Sequence, residues 1–323
     1  MSPRTRESLE NTLMLAEIAQ LYYMDGLTQD EIARRVGLSR SHVSRMLKSA
    51  RESGLVEVRI NHPLQRDSRL EGELKARFNL KDCVVLARQT NSMFGLDTGK
   101  KVGALAARYL QQIIRQGSTI GLGWGSAVYE TVSSGYLTPK KDVKVAQLMG
   151  SIGGVTPDID GAQIASQLGN MLGATVYYLH APMIVTDSSV RQGLLRDQHI
   201  RRTLEVARRS DITLVSVGLV SQRSGLYRAG YLNDADLEYI AGQGAVGDIC
   251  GTFFMLDGSI APLEIHDRIL AVSSDVLRAV PNKVGVSWGE HKALANIGAA
   301  RAGLINILVT DEDAALAMLA HKD

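Results

Sequence analysis

Residues 28–51, TQDEIARRVGLSRSHVSRMLKSAR, narrow the folding options of this 323-residue chain more than any other stretch. Ile32, Ala33 and Val36 recur at three- and four-residue spacing, which puts them on one face of a short helix. Gly37 interrupts the pattern, Leu38 is placed to plug a corner, and Ser39 is an N-cap residue. Its hydroxyl can accept the exposed N–H groups of a new helical turn. Val43, Met46 and Leu47 then line the inner face of a second helix, leaving Arg40, Ser41, His42, Ser44, Arg45 and Lys48 outside. Two helices joined by a tight turn, the second basic, form the pattern of a helix-turn-helix, whose second helix lies in a DNA major groove. A surface helical hairpin charged only for solubility is the plainer alternative. The basic residues gather on the second helix while Asp30 and Glu31 open the first, which argues against it.

That segment holds six Arg or Lys against two acids, whereas the whole chain carries a net charge of only +2. Nucleic-acid binding is therefore local, with phosphate contacts adding affinity but little sequence information. Arg40, Ser41, His42 and Arg45 are expected to supply base-edge and phosphate contacts, with Ser39, Ser44 and Lys48 on the same surface. Gln29, at the start of the first helix, is placed to touch a backbone phosphate. The expected partner is double-stranded operator DNA. One such unit reads a half-site, so a homo-oligomer (dimer or tetramer) is expected.

The N-terminal eight residues are polar and read as frayed, and residues 9–24 carry Leu13, Ile18, Leu21 and Tyr22 at helical spacing, a support helix. Residues 55–60 alternate apolar and polar like a short wing strand. Pro63 disfavours helix at His62 and marks a boundary. The expected organisation is a DNA-binding domain over 1–60, a linker helix over 61–80 with Leu70, Leu74 and Phe78 on one side, and an α/β domain over 81–323 that also drives oligomerisation.

In that last part, short apolar runs near 83–87, 119–122, 143–149, 175–179, 212–217, 284–287 and 305–309 read as strands. Helical patterns at 100–115, 161–172, 201–208, 290–301 and 312–320 alternate with them. The alternation predicts a mostly parallel, Rossmann-like α/β sheet covered on both faces. Cys83 and Cys250 are far apart, with no CxxC and no histidine at ligand spacing. They read as two buried thiols in a reducing compartment. With no signal peptide and no run long enough to span a bilayer, a soluble, cytoplasmic chain is expected.

Ligands of open α/β sheets bind at the carboxyl ends of strands, often where a helix N-terminus faces an anion. Three stretches qualify. Gly121-Leu-Gly-Trp-Gly-Ser-Ala127 is a glycine turn between strand and helix, in which Gly123 and Gly125 permit close backbone approach and Ser126 adds a hydroxyl. Its spacing is G-x-G-x-G, and no acid ends the next strand, so a nicotinamide cofactor fits poorly. In Gly244–Gly251, Asp248 is a carboxylate on a glycine-flanked turn, suited to accept hydrogen bonds from a polyol. In residues 286–292, Lys292 falls in a first helical turn, against the dipole, a conflict that a bound anion would remove. A purely structural turn, a turn-forming Asp and a lysine reaching to water are the respective alternatives. No cofactor and no metal are expected.

GAVGDICGTFF, GEHK before an Ala-rich helix, and VTDEDAA, behind YYMDGLTQDEIARRVGLSRSHVSRML, resemble the SorC/DeoR-type family of sugar-responsive bacterial transcription regulators, over nearly the whole chain. The resemblance implies an effector domain similar to phosphosugar isomerases. It implies that Gly123, Trp124, Gly125, Ser126 and Ala127 surround the effector's phosphate with Lys292, that Asp248 holds hydroxyls, and that Gln147 is a further pocket residue. Two positions depart from the family pattern: Val128, where members often carry Thr, and Trp288, where a Gly is common. The expected function is a transcription regulator of a carbohydrate-utilisation operon, controlled by a phosphorylated sugar or polyol. The alternative is a sugar-phosphate isomerase or deaminase with a DNA-binding appendage, in which Asp248 is the base and His291 the nearest second group.

Overall fold

The structure is a computed structural model that describes residues 3–57, 64–88, 97–153 and 160–322, with side chains from residue 11 onward. It divides into two units, Met1–Asn61 and His62–Asp323.

In the first unit, α1 (Pro3–Tyr23), α2 (Gln29–Val36) and α3 (Arg40–Glu52) enclose Ile18, Leu21, Ile32, Val43, Met46 and Leu47. Burying such a side chain contributes about 1.5–3 kcal/mol. The helix α1 starts at Pro3, so the N-terminal residues read as frayed are helical from there on. Proline suits a first helical position because its missing N–H would have no intrahelical acceptor. A capping box opens α2: the Glu31 N–H donates to Thr28 Oγ1, and the Glu31 carboxylate accepts from the Thr28 N–H at 2.8 Å. That N–H and the Thr28 hydroxyl, which donates to the same carboxylate at 2.7 Å, hold the Glu31 carboxyl below its usual pKa. Gly37 ends α2 at φ +69°, a left-handed conformation that costs a side chain energy, and Leu38 packs on the three-helix core. Ser39 caps α3 by accepting the His42 N–H. No strand forms over Leu55, Val56 and Glu57, where the Val56 N–H bonds the Ala50 carbonyl instead. Residues 58–60, the rest of the expected wing, and the Pro63 boundary lie outside the described residues.

The second unit runs α4 (Ser68–Phe78), β1 (Asp82–Leu86), α5 (Thr98–Ile113), β2 (Thr119–Leu122), α6 (Ser126–Val132), β3 (Lys144–Gln147), α7 (Gly161–Leu172), β4 (Thr175–Tyr177), α8 (Ser188–Leu194) and α9 (Gln198–Arg208). It continues with β5 (Ile212–Ser216), α10 (Gly225–Arg228), α11 (Asp234–Gly242), β6 (Ala245–Ile249), β7 (Thr252–Met255), α12 (Ser274–Ala279), β8 (Asn282–Val286), α13 (Ala293–Arg301), β9 (Ile307–Asp311) and α14 (Glu312–Ala320). Seven strands form one sheet in the order β1-β9-β8-β5-β2-β3-β4, every pairing parallel. Strand residues alternate between two cores. Val84, Ile120, Leu214 and Val309 face α5, α6 and α7, while Val85, Ala146, Val215 and Leu308 face α4, α9, α13 and α14. No described helix is long and apolar enough to cross a membrane.

The helix expected as a linker is instead part of this unit. Leu70, Leu74 and Phe78 of α4 are buried in its core, and the buried Glu71 accepts both the Val85 N–H and the Arg66 guanidinium. The glycine-flanked stretch around Asp248 also differs from expectation: it is the antiparallel hairpin β6–β7, turning at Cys250 and Gly251, both at positive φ. Asp248 therefore sits on a strand, not on a turn. From β2 the chain moves outward to β3 and β4, and from β5 it moves the other way to β8 and β9. The carboxyl ends of β2 and β5 thus flank a topological switch point, where α/β sheets open a crevice.

Candidate functional site

At that switch point lies a cavity of about 370 Å³, within the range of small-molecule sites. The β2–α6 turn supplies one wall with Gly123, Trp124, Gly125 and Ser126. Gly125 caps α6 at φ +105°, a conformation that side chains rarely adopt, and a Cβ there would press on Ser216 Oγ at 3.0 Å. Ser216, at the end of β5, accepts the Val128 N–H and so ties the two strand ends together. The N–H groups of Ser126 and Ala127 stand in the first helical turn and have no acceptor within the helix. They are available to an anion.

Opposite the turn stand a carboxylate and an ammonium group. Asp248 is 6% exposed; its Oδ2 accepts the Gly251 N–H, and burial pushes its pKa up to about 6. Gly218 makes space for it, because a Cβ at 218 would come within 1.8 Å of Asp248 Oδ1. Lys292 Nζ donates to the Val217 carbonyl at 2.7 Å. Burial pushes its pKa down to about 8, with Arg228 adding to the fall and Asp248 opposing it. Lys292 is thus turned inward, not out to water. Its loop is held by Asp311, which caps α14 and accepts the Gly289 N–H at 2.9 Å. The cavity thus offers a carboxylate that can accept from hydroxyls, and cations with backbone N–H groups that can hold an anion.

The sugar-binding family Sugar-bind matches residues 62–320, most of the chain. The chain belongs to the SorC/DeoR-type family of sugar-binding transcription regulators. Residues 16–53 also match region 4 of sigma-70. Among its relatives, the transcriptional regulator LsrR of Enterobacter sp. strain 638 is 34% identical over 312 residues, 95% of this chain and 93% of that one. The deoxyribonucleoside regulator of Bacillus subtilis is 28% identical and covers 96% of this chain and 98% of its own. The structure of the full-length sorbitol operon regulator SorC from Klebsiella pneumoniae superposes with a TM-score of 0.72 at 26% identity, covering 96% of this chain and 99% of that one. These relatives are regulators, and this chain is a DNA-binding transcription regulator with a sugar-binding domain, not an enzyme.

The structure brings together most of the effector residues expected of this SorC/DeoR-type regulator, and separates two. Gln147 is buried at the end of β3, where its Oε1 accepts the Leu179 N–H; it does not line the cavity. The Ala127 methyl points into the core and lines only a side recess of about 170 Å³, shared with Trp288, His291 and Lys292. Val128 is likewise a core residue, so a hydroxyl at that position would not face the main cavity, whereas Ser126 does. Trp288 lies against Gly99 rather than in the main cavity. The aromatic there is Trp124, whose ring covers the backbone of Gly225.

Sequence alone singles out none of Ser216, Gly218, Arg223 and Arg228, although all four line the cavity. Ser216 ends β5 and Gly218 follows it, as Gly123 follows β2, so the strand-end rule applied there would have found them. The two arginines arrive on the α10 segment. It is fastened by Ser224, which caps it, and by Asp234, which accepts from Gln222 and the Tyr227 hydroxyl.

In the DNA-binding unit, Ser39, Arg40, Ser41, His42, Ser44, Arg45 and Lys48 are all exposed, and Gln29 is half-buried at the first position of α2. Arg40 lies 3.8 Å from Asp30 in an exposed pair, worth little in water and easily exchanged for a phosphate. Arg45 Nε leans back on the Ser41 carbonyl at 3.4 Å. Ser39 caps α3 and shares a hydroxyl–hydroxyl hydrogen bond of 3.0 Å with Ser41, and Lys48 pairs with Glu52 at 3.6 Å; all of these contacts are exposed to solvent.

Proposed function

We propose that the effector is a phosphorylated sugar or polyol, and that its binding changes the affinity of the exposed face of α3 for operator DNA in a carbohydrate-utilisation operon. One observation carries this reading. A single cavity gathers the buried Asp248, the cations Lys292, Arg223 and Arg228, and the first turn of α6. A phosphate fits the cationic end through charge-assisted hydrogen bonds, and an uncharged sugar would leave those cations unmatched. The hydroxyls then fall to Asp248. The relatives' names support a sugar-related ligand, since one is a deoxyribonucleoside regulator and another a sorbitol operon regulator.

The regulator works as a dimer or tetramer in the cytoplasm, because one helix-turn-helix reads only half of a paired site. The effector acts by binding the released and DNA-bound states unequally; equal affinity shifts nothing. A thermal-shift screen of phosphorylated sugars and polyols against their dephosphorylated counterparts tests the proposal. A ligand at a hundred times its Kd stabilises by about 2.7 kcal/mol and raises Tm by a few degrees. A response to free sugars equal to that for their phosphates would defeat the assignment.

Effector affinity is expected to follow a bell in pH. Lys292, with its pKa pushed down to about 8, loses charge as pH rises past that value, and affinity for the phosphate falls with it. Asp248, pushed up to about 6, gains a proton as pH falls and ceases to be a full acceptor. A phosphate monoester also titrates near pH 6, so both groups shape the acidic limb. Calorimetric titration of wild type and Asp248→Asn on both sides of neutrality separates them. On the acidic side the variant should keep only the ligand's own limb, and an unchanged acidic limb would remove Asp248 from the site.

A further inference from the structure

Helix α9 carries charge that the sugar cavity does not use. Its inner side, Ile200, Thr203, Leu204 and Ala207, is buried against the sheet. Its outer side presents Arg201, Arg202, Glu205 and Arg208, followed by Arg209, all exposed and all on one face at helical spacing. Arg196 stands exposed just before the helix. Arg202 rests 5.9 Å from the centre of the Tyr177 ring. Arg196, Arg201, Arg208 and Arg209 have no ion pair or side-chain hydrogen bond among the described residues. Of the acids nearest in sequence, Asp197 accepts the His199 and Ile200 N–H groups and feels the charge of Arg201, Asp211 accepts the Thr119 N–H, and Glu205 stands on the same face as the arginines.

We propose that this arginine face is a second DNA-contacting surface that grips the phosphate backbone independently of sequence. The proposal rests on the chain being a DNA-binding regulator. A chain of net charge +2 has no general excess of cations, so their concentration on one helix face is specific. Arginine forks match phosphate oxygens in pairs. From Arg201 to Arg208 the face spans about 10 Å, a length over which duplex DNA carries about six charges.

A second copy of the chain is a poorer occupant: many acids of this unit are engaged, and the exposed ones other than Glu205 without an ion pair or side-chain hydrogen bond among the described residues, Glu238, Glu264, Asp267 and Glu290, are scattered over separate segments. Asp234 accepts from Gln222 and Tyr227, Asp236 caps α11, Asp313 pairs with Arg88, Glu73 with Arg69, and Asp187 and Asp257 close turns. Arg201, Arg202, Arg208 and Arg209 therefore face a polyanion better than they face this protein.

The test uses the full chain and a random-sequence DNA duplex several helical turns long, with binding followed by fluorescence anisotropy as salt is raised. The variant Arg201→Gln/Arg202→Gln/Arg208→Gln/Arg209→Gln should flatten the slope of log K against log salt by roughly 0.9 for each phosphate no longer neutralised, about 2 to 3.5 in all. Binding at moderate salt should weaken by about tenfold or more. Its unfolding midpoint without added ligand and its far-UV circular dichroism should match the wild type, which shows that the variant is folded. Arg40→Ala/Arg45→Ala should retain a salt-dependent remainder that the combined variant loses. An unchanged slope in the four-arginine variant overturns the proposal. So does a fall in particle mass by light scattering with the slope unchanged, which would make the face an interface between copies. If the slope changes in that variant but not in Arg40→Ala/Arg45→Ala, the α9 face stands and the helix-turn-helix assignment fails instead.

Discussion

Lys292→Ala is expected to bind operator DNA as the wild type does and to ignore the effector. The lysine reaches the cavity from the loop after β8, with Nζ held on the Val217 carbonyl and its pKa already pushed down to about 8. At neutral pH the ammonium is still mostly charged, and a phosphate bound there would hold it so at higher pH. Hydrogen bonds to charged groups contribute about 1.5–3 kcal/mol, so effector affinity should fall by roughly tenfold to a hundredfold. The carbonyl that the lysine leaves behind faces the cavity and can be hydrated. Asp248, deprived of its cation, should titrate still higher. Thermal shift with the sugar phosphate measures the first effect, and operator release in a gel shift measures the second. An effector that still releases DNA from Lys292→Ala would place the phosphate elsewhere.

Arg40→Ala/Arg45→Ala is expected to do the opposite: operator retention disappears while the effector still raises Tm. Both side chains are exposed on the outer face of α3, and neither supports the core formed by Val43, Met46 and Leu47. A bidentate contact to guanine contributes about 1–3 kcal/mol of discrimination, so removing both arginines should cost roughly a hundredfold or more in operator affinity. Retention at wild-type level would reduce α3 to a structural helix. The pair of variants also divides the protein by function, since each removes one response and spares the other.

Local patterns were sufficient for much of this. Spacing of three and four placed Ile32, Ala33, Val43 and Leu47 inside, and the surface left over was the basic one. Helices α7 and α14 and strand β2 fall at the residues their patterns predict. These elements are legible because their partners lie within a few turns of chain, or because a strand buried on both faces must be apolar throughout. The short β6–β7 hairpin is not legible in this way: its glycines look like a turn, and only the packing of Phe253, Phe254 and Ile249 in the core makes it a strand pair.

The amino-acid sequence by itself determined that a helix-turn-helix precedes a parallel α/β unit, and it singled out Gly123, Gly125, Asp248 and Lys292 as candidates at strand ends. Helix faces and strand-end turns are set by neighbours in sequence. Only the tertiary structure decided which of them meet: that Asp248 and Lys292 face the β2–α6 turn, that Arg223 and Arg228 join them, and that Gln147 and Val128 turn away. Strand order made that choice, because β2 and β5 are neighbours in the sheet though far apart in the chain, and burial then shifted the two opposing charges.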